Sequence, residues 1–466
     1  MSIDVATAIA GAVAAEGGRA LFVGGWVRDR LLDRPSKDVD VEVYRIQPDR
    51  LRALLQRFGP VNTVGESFTV YKVAGIDVSL PRRDSKVGPG HRGFDVTGDP
   101  DMSVEEAARR RDFTVNAIAW DPLGQEYLDP FDGRGDLLER KVLRAVDPRT
   151  FPEDSLRVLR GLQFSARFDL RMDPGTMALC RQIPLDDLPA ERIWGEVEKL
   201  LIQAPRPSAG FVLALDLSVV ERLFPEMFAL VGCPQEPEWH PEGDVWIHTL
   251  MVIDQARTRI DDLERPQQIT VMLGAVCHDL GKPPTTAFLD GRIRSMEHEQ
   301  AGVAPTLSLL DRLNVHTIGG YDVRRQVVGI VAHHLAPNAF SKSKTAVGDG
   351  AFRRLAQKVD LELLARVAQS DCLGRTGTFD CSGIQWFLER ARALGVEHAP
   401  PEPIVKGRHL LDLGMQPGPE VGRVLRRIYE RQLDGRVATL DEGLRAAREI
   451  IGGPIEPGDS VDQSTR

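Results

Sequence analysis

Cysteine is scarce in this chain: five residues, Cys180, Cys233, Cys277, Cys372 and Cys381, among 466. Their number is odd and no CxxC pair occurs. That excludes a disulfide framework and a thiolate zinc site as organising devices, and buried reduced thiols are expected. Long apolar runs are also missing, with none near the ~18 residues of a membrane span. The N-terminal stretch MSIDVATAIAGAVAAEGGRALFVGG has no basic segment ahead of its apolar residues, so no leader is expected and the cytoplasm is the expected location. Basic charge is not in excess: 59 Lys plus Arg face 68 Asp plus Glu, a net charge of −9. A general nucleic-acid binder that works by phosphate neutralisation is therefore disfavoured, although a local basic track is not. Aromatics are only 6% and unclustered, which argues against an RNA module built on base stacking.

What is present suggests two to four soluble domains, with 42% hydrophobic and 27% charged residues. Residues 3–15 favour helix and stop at Gly17-Gly18. Ala20–Val23 reads as a buried strand entering Gly24-Gly25, and Trp26–Leu32 as a short helix. Further strands are expected at Val39–Tyr44, Thr69–Val73, Ile76–Leu80 and Ala117–Trp120. The first 142 residues are thus an α+β unit with a mixed sheet. Beyond Pro152 the pattern turns helical, with helices over Ser155–Arg167, Ala190–Leu201 and Ser208–Phe224. The stretch Gly232–Gly243 is rich in Pro and Gly and reads as a linker or an entry loop. After it the chain stays helical, a tail opens at His398–Ile404, and residues from Gly452 onward are expected to be disordered.

Between Gly24 and Val43 the sequence runs GGWVRDRLLDRPSKDVDVEV. Two glycines between a strand and a helix allow close approach of backbone to phosphate. Asp38 and Asp40, two apart on a predicted strand, project from one face and can hold Mg²⁺ against a triphosphate. An acidic edge strand in solvent is the alternative. Asp77 is a candidate third carboxylate, and Pro81–Phe94 reads as a mobile surface loop or a hairpin connection. Arg109–Arg111 beside an apolar run suits phosphate, or is a solvated charge run. In FPEDSLRVLRGLQF, helical spacing places Glu153, Arg157 and Arg160 on one face with Asp154 adjacent. This is either a salt-bridge ladder or, with Asp154 accepting and Arg157 donating, a reader of base edges.

In this order the pieces resemble the class II CCA-adding tRNA nucleotidyltransferases, within the polymerase-beta-like superfamily that also holds bacterial poly(A) polymerases. The shared motifs are GG-x-VRD-x-LL with DxD (Gly24 to Asp40), RRDFTVNA (Arg110 to Ala117), DPFDGRGDL (Asp129 to Leu137) and EDSLRVLR (Glu153 to Arg160). The resemblance implies template-independent addition of C, C and A to the tRNA 3′ end from CTP and ATP. Asp38 and Asp40 would then bind Mg²⁺, supported by Asp77. Gly24, Gly25, Arg28, Arg111, Asp112, Asn116, Glu153 and Arg160 would contact the nucleotide, and Asp154 with Arg157 would mimic a Watson–Crick partner. Three features bear on the match: Asp33 stands where the family usually has Gly, Gln163 stands where some relatives have Arg, and the Pro81–Phe94 loop is of full length, with Arg83, Asp84 and Lys86, as in members that add A.

A second constellation follows. His278-Asp279 closes an apolar helix, His248 precedes it, and His298, His333-His334 and Asp371 follow. Imidazoles and carboxylates from several helices can converge on Ni²⁺, Mn²⁺ or Zn²⁺. The order H…HD…D resembles HD phosphohydrolases, and its place after a transferase resembles bacterial multifunctional CCA enzymes. That resemblance implies His248, His278, Asp279 and Asp371 as metal ligands, with phosphatase or 2′,3′-cyclic phosphodiesterase activity, Lys282 near the phosphate, and a second metal at His298, His333 and His334.

The expected organisation is a nucleotidyltransferase head (1–142), an all-α neck and body (143–230), a helical HD domain (231–390) and a helical RNA-binding tail (391–466). The expected partners are tRNA and the two nucleotides, with no membrane, in a monomer or homodimer. A poly(A) polymerase would show a GRRF-like run after DxD, where this chain reads VEVYRIQPDR. An A-adding specialist, and a hydrolase whose transferase part only binds RNA, remain alternatives.

Overall fold

The computed structural model of the chain describes residues 2–35, 38–64, 70–86, 94–343 and 347–452. It divides into two compact units, residues 1–228 with 312–314, and 229–311 with 315–466.

The first unit is built on a seven-stranded mixed sheet. Its strands are β1 (Arg19–Val23), β2 (Asp40–Tyr44), β3 (Asn62–Val64), β4 (Val70–Val73), β5 (Ile76–Ser79), β8 (Ala119–Asp121) and β9 (Glu126–Leu128), in the order β3-β4-β5-β2-β1-β8-β9. β1 runs antiparallel to β2 with Val23 opposite Asp40, and β2 runs parallel to β5 with Asp40 opposite Asp77. Register alone therefore sets two carboxylates side by side. The helix Ser2–Ala15 presents Ala6, Ile9, Ala10 and Val13, spaced i, i+3, i+4 and i+7, to Phe22, Val41 and Val43. The larger of these buried side chains contribute about 1.5–3 kcal/mol each, which helps hold the inner strands that carry the acids.

Several boundaries differ from expectation. Residues Thr114–Asn116 form a 3₁₀ turn, so the strand expected from Ala117 begins at Ala119. The helix expected over Ser208–Phe224 breaks into Pro207–Asp216 and Val219–Leu223 because Ser218 takes a positive φ of 57°. In the Pro81–Phe94 segment, β6 (Arg82–Lys86) pairs antiparallel with β7 (Phe94–Gly98). That is the hairpin alternative; residues 87–93, and the side chains of Arg83, Asp84 and Lys86, lie outside the described residues. So do Thr69 and the C-terminal residues 453–466.

The second unit is mainly helical, but it holds two small hairpins the sequence reading passed over. Thr286–Leu289 pairs with Arg292–Ser295 around Asp290-Gly291, and Thr317–Ile318 with Tyr321–Asp322 around Gly319-Gly320. All four turn residues have positive φ, the conformation for which Asp-Gly and Gly-Gly are suited. No described helix is long and apolar enough to cross a membrane.

The expectation of five reduced cysteines fails for two. The helix Leu361–Leu373 ends, the chain reverses, and Ser382–Ala393 begins, bringing the Cα atoms of Cys372 and Cys381 to 6.0 Å and joining them in a disulfide. A nine-residue spacing carries no sequence signal for this. Cys180, Cys233 and Cys277 are free and buried. Thiol titration of the denatured chain without reductant should find three reactive groups; five would remove the bond.

Candidate functional site

The first unit contains a cavity of about 640 Å³ whose wall joins three parts of the chain: the start of the sheet, the arginines after Val104–Arg109, and the helix Leu156–Phe168. Gly24 precedes the helix Gly25–Leu31 with φ 73°. A Cβ there would lie 3.3 Å from Asp40 Oδ2 and 3.6 Å from Arg111 Nη1, so glycine keeps both groups open to the cavity.

Asp40 and Asp77 line this cavity. Asp38 is exposed just ahead of β2, with Val39 buried between it and Asp40. Loss of hydration raises the Asp40 carboxyl above its ordinary range; Arg111 opposes this, and Asp77 and Asp38 reinforce it. Crowded carboxylates of this kind are relieved by a cation. Asp77 is already paired, through Lys72 Nζ at 2.8 Å.

The nucleotide-side residues form one network. Arg28 is buried, donates from Nη1 to Asn116 Oδ1 at 2.8 Å and lies 4.1 Å over the Phe168 ring. Asn116 donates to Asp112 Oδ1 at 3.0 Å, and Arg160 Nε donates to Asp112 Oδ2 at 2.7 Å. Asp112 and Asn116 thus lie in the wall but are committed to aiming arginines. Burial works to raise the Asp112 carboxyl, and Arg160 with the hydrogen bonds outweighs it and holds it below the ordinary range. Its contribution to stability is therefore complete above the ordinary carboxylate pKa and is lost as pH falls through the native one. Asp112→Ala should cost about 3 kcal/mol, the scale for stripping one partner from a buried pair, read as a lower denaturant midpoint.

Arg111 sits 3.5 Å from Glu42. Glu153, expected on the helical face, instead ends the 3₁₀ turn Phe151–Glu153 outside the cavity wall, 4.0 Å from Arg110, and Asp154 is extended. The helix starts only at Leu156, so the shared face holds Arg157 and Arg160 without Glu153. Nor is there a salt-bridge ladder: Arg157 donates to the carbonyls of Thr150 and Arg110 at 2.7 and 2.8 Å. Asp154 accepts from Leu156 N–H and from Arg192, a wall residue that sequence reasoning missed because it lies 38 positions away.

The second unit gathers four histidines around Asp279. His248 Nε2 lies 3.1 Å from Asp371 Oδ1 and 3.9 Å from Asp279 Oδ2, and His278 Nε2 is 3.2 Å from that same oxygen. On the other side, His298 Nε2 and His334 Nε2 stand 3.4 and 4.0 Å from Asp279 Oδ1. Gly281 makes this approach possible, since a Cβ there would fall 1.9 Å from the His298 carbonyl oxygen.

The Nδ1 atoms of His278, His298 and His334 face the carbonyls of Ala275, Ser295 and Val331 at 2.8–2.9 Å, and that of His248 faces Glu242 at 2.8 Å. Partners of this kind leave the lone pair on Nε2, as a metal ligand requires. His298 Nε2 and His334 Nε2 then face each other at 3.3 Å with no proton to share. Burial holds His334 down at about 4, neutral at physiological pH. His278 Nε2 is buried without an aligned hydrogen-bond partner, and Asp279 Oδ2 meets the Lys282 ammonium at 2.8 Å. Two donor sets result: His248, His278 and Asp371, and Asp279, His298 and His334, within each of which the ligand atoms lie within 4.8 Å of one another. Both suit a transition-metal ion.

His333 does not join them; it faces a different cavity beside Lys358. Lys282 Nζ reaches Asp279 at 2.8 Å and Gln235 at 2.7 Å. Of the two readings of Gly232–Gly243 the entry loop fits, because Gln235, Trp239 and His240 line a 420 Å³ cavity and Glu242 orients His248. Burial alone would raise Glu242, but the hydrogen bonds from His248 and His240 leave it at about 2.

The sequence matches the family model described as "Poly A polymerase head domain" over residues 20–144, and "Probable RNA and SrmB- binding site of polymerase A" over 169–230. It is 35% identical over 420 residues to the "Multifunctional CCA protein" of Xanthomonas campestris, covering 87% of this chain and 95% of that one. The chain belongs to the multifunctional CCA protein family. It is accordingly an enzyme, a nucleotidyltransferase of the CCA-adding kind. The Methylococcus capsulatus member of the family is 35% identical over 92% of this chain and 96% of its own. A Bacillus stearothermophilus CCA-adding enzyme in complex with CTP shares the fold, with a TM-score of 0.65 at 22% identity over 96% of this chain and 97% of that one. A Thermotoga maritima CCA-adding enzyme complexed with tRNA does so at a TM-score of 0.57 and 18% identity, over 96% and 95%.

Two departures from the family pattern are now accounted for. Asp33 takes φ 51°, a turn conformation that glycine enters freely and Asp tolerates. Gln163 is buried and accepts from Arg167 Nη1 at 2.9 Å, so its position belongs to the core and not to the cavity wall.

Proposed function

We propose that this multifunctional CCA protein adds C, C and A in turn to the 3′ end of tRNA from CTP and ATP, and that a second site hydrolyses phosphate esters as a phosphatase or 2′,3′-cyclic phosphodiesterase. The observation that carries the first part is a single cavity lined by Asp40, Asp77, a set of arginines and the Asp154–Arg157 pair. Asp38 and Asp40 are the groups that would hold Mg²⁺, with Asp77 as the supporting carboxylate. Bound there, the metal supplies charge neutralisation at the triphosphate and lowers the pKa of the attacking hydroxyl. Arg28, Arg111 and Arg160 bind the triphosphate, and the Asp112–Asn116 network fixes where their donors point. The tRNA hydroxyl attacks the α-phosphorus and pyrophosphate leaves. Asp154 accepts from the exocyclic amino group that C and A share, and Arg157 donates to the neighbouring ring nitrogen.

In the second unit, His248, His278 and Asp371 would hold one transition-metal ion and His298 and His334 another, with Asp279 offering one oxygen to each. Such ions, Ni²⁺, Mn²⁺ or Zn²⁺, supply a water of lowered pKa as nucleophile toward a phosphate ester. Lys282 neutralises the substrate phosphate. We assign residues 1–142 to the head, 143–230 to the neck and body, 231–390 to the HD domain and 391–466 to an RNA-binding tail.

The test offers tRNA ending before CCA, after C and after CC, with CTP and ATP singly and together. CTP alone should add two residues to the first acceptor, and ATP alone one residue to the last. Long ATP-only tails would establish a poly(A) polymerase. Addition confined to the CC-ending acceptor would establish an A-adding specialist. Ester hydrolysis with no addition to any acceptor would leave a hydrolase.

A further inference from the structure

The acceptor Asp154 is not free in the cavity wall. Its Oδ2 receives Arg192 Nη2 at 3.0 Å, while its Oδ1 takes the Leu156 N–H at 3.2 Å. Arg192 stands in the first turn of the helix Ala190–Gln203, which is seated by the buried Ile193, Val197, Leu200 and Leu201. The donor Arg157 is held independently, by the carbonyls of Thr150 and Arg110.

The side chains of Arg192 and Asp154 are 30% and 34% exposed. Ion pairs of that exposure add little to stability. Orientation is a different matter. Among the cations acting on Asp154's surroundings are Arg157 and Arg160, each of which feels the Asp154 charge. Without a competing tether, the carboxylate would swing onto Arg157. Donor and acceptor would then satisfy each other, and the edge complementary to C or A would vanish. A carboxylate has about four acceptor positions, so one bond from Arg192 and one from Leu156 still leave it able to receive a base amino group.

We infer that Arg192 is a specificity-determining positioning residue, which tethers Asp154 away from Arg157 so that the two present separate acceptor and donor groups to the incoming base. U and G carry a carbonyl where C and A carry the amino group, so a correctly held acceptor rejects them. The inference rests on the reading of Asp154 as the base acceptor.

The test measures kcat/KM for single additions of CTP and of UTP to tRNA lacking CCA, using the full chain. Arg192→Ala should lower the CTP-to-UTP ratio by about tenfold, and Arg192→Lys, which retains a cation for Asp154, should stay within about threefold of the parent. In an Asp154→Ala background, Arg192→Ala should lower the ratio no further. Equal loss for both nucleotides with the ratio kept, or additive effects of the two substitutions, would overturn the positioning role. If Asp154→Ala itself leaves the ratio intact, the base-reading assignment falls instead, which is a distinguishable result. Should Arg192→Ala fail to fold, Arg192→Gln gives the same readout, since it removes the charge and keeps the stem.

Discussion

A chain carrying Asp38→Ala together with Asp40→Ala should lose nucleotide addition by at least about 10³-fold, because several kcal/mol of transition-state stabilisation would depend on a cation held by these carboxylates with Asp77 in support. Triphosphate binding should fall much less. Arg28, Arg111 and Arg160 remain, and the Asp112–Asn116 network that aims Arg28 and Arg160 does not pass through Asp38 or Asp40. Phosphate-ester hydrolysis should persist, since its groups belong to the other compact unit. Radiolabelled CTP incorporation, a nucleotide-binding titration and an ester assay on one preparation give the three readouts. Loss of both activities from a folded protein would refute separate sites.

His278→Ala combined with Asp279→Ala should strip the second unit of transition metal and abolish ester hydrolysis, while addition survives. Asp279 is the decisive residue because each of its oxygens faces a different pair of imidazoles: His248 and His278 at one, His298 and His334 at the other. Removing it should cost both ions. Replacing His298 and His334 alone should cost one. Elemental analysis of the purified proteins reads this directly as about two, about one or no ions per chain. Unchanged metal content in the His278/Asp279 variant would sink the ligand assignment, and a parent holding a single ion would sink the second donor set.

Much of the architecture was legible because it is local. The helix-favouring composition of residues 3–15 with its Gly17-Gly18 stop, the buried run of β1 and the alternation of exposed and buried residues through β2 are written in neighbouring residues, and so is the HD pair at a helix end. The motif series was specific enough to indicate the family. What failed also has local causes. Asp154 is extended, and the helix begins at Leu156, three residues after the Glu153 that the spacing of EDSLRVLR put on its face, which removes Glu153 from the shared face. The Asp290-Gly291 and Gly319-Gly320 turns are hairpins in a stretch expected to be helical throughout.

By itself, the sequence determined the chemistry available to this protein: paired acids beside glycines, arginines in number, and imidazoles with carboxylates spread over five helical segments. Tertiary structure decided which of them meet. His248 and Asp371 are 123 positions apart and 3.1 Å in space; Asp154 takes its partner from a helix 38 residues on; Cys372 and Cys381 find each other only because a helix ends and the chain reverses. Side-chain type is fixed residue by residue, whereas the direction in which a lone pair or a guanidinium points depends on packing between segments distant in the chain, and no local pattern encodes that.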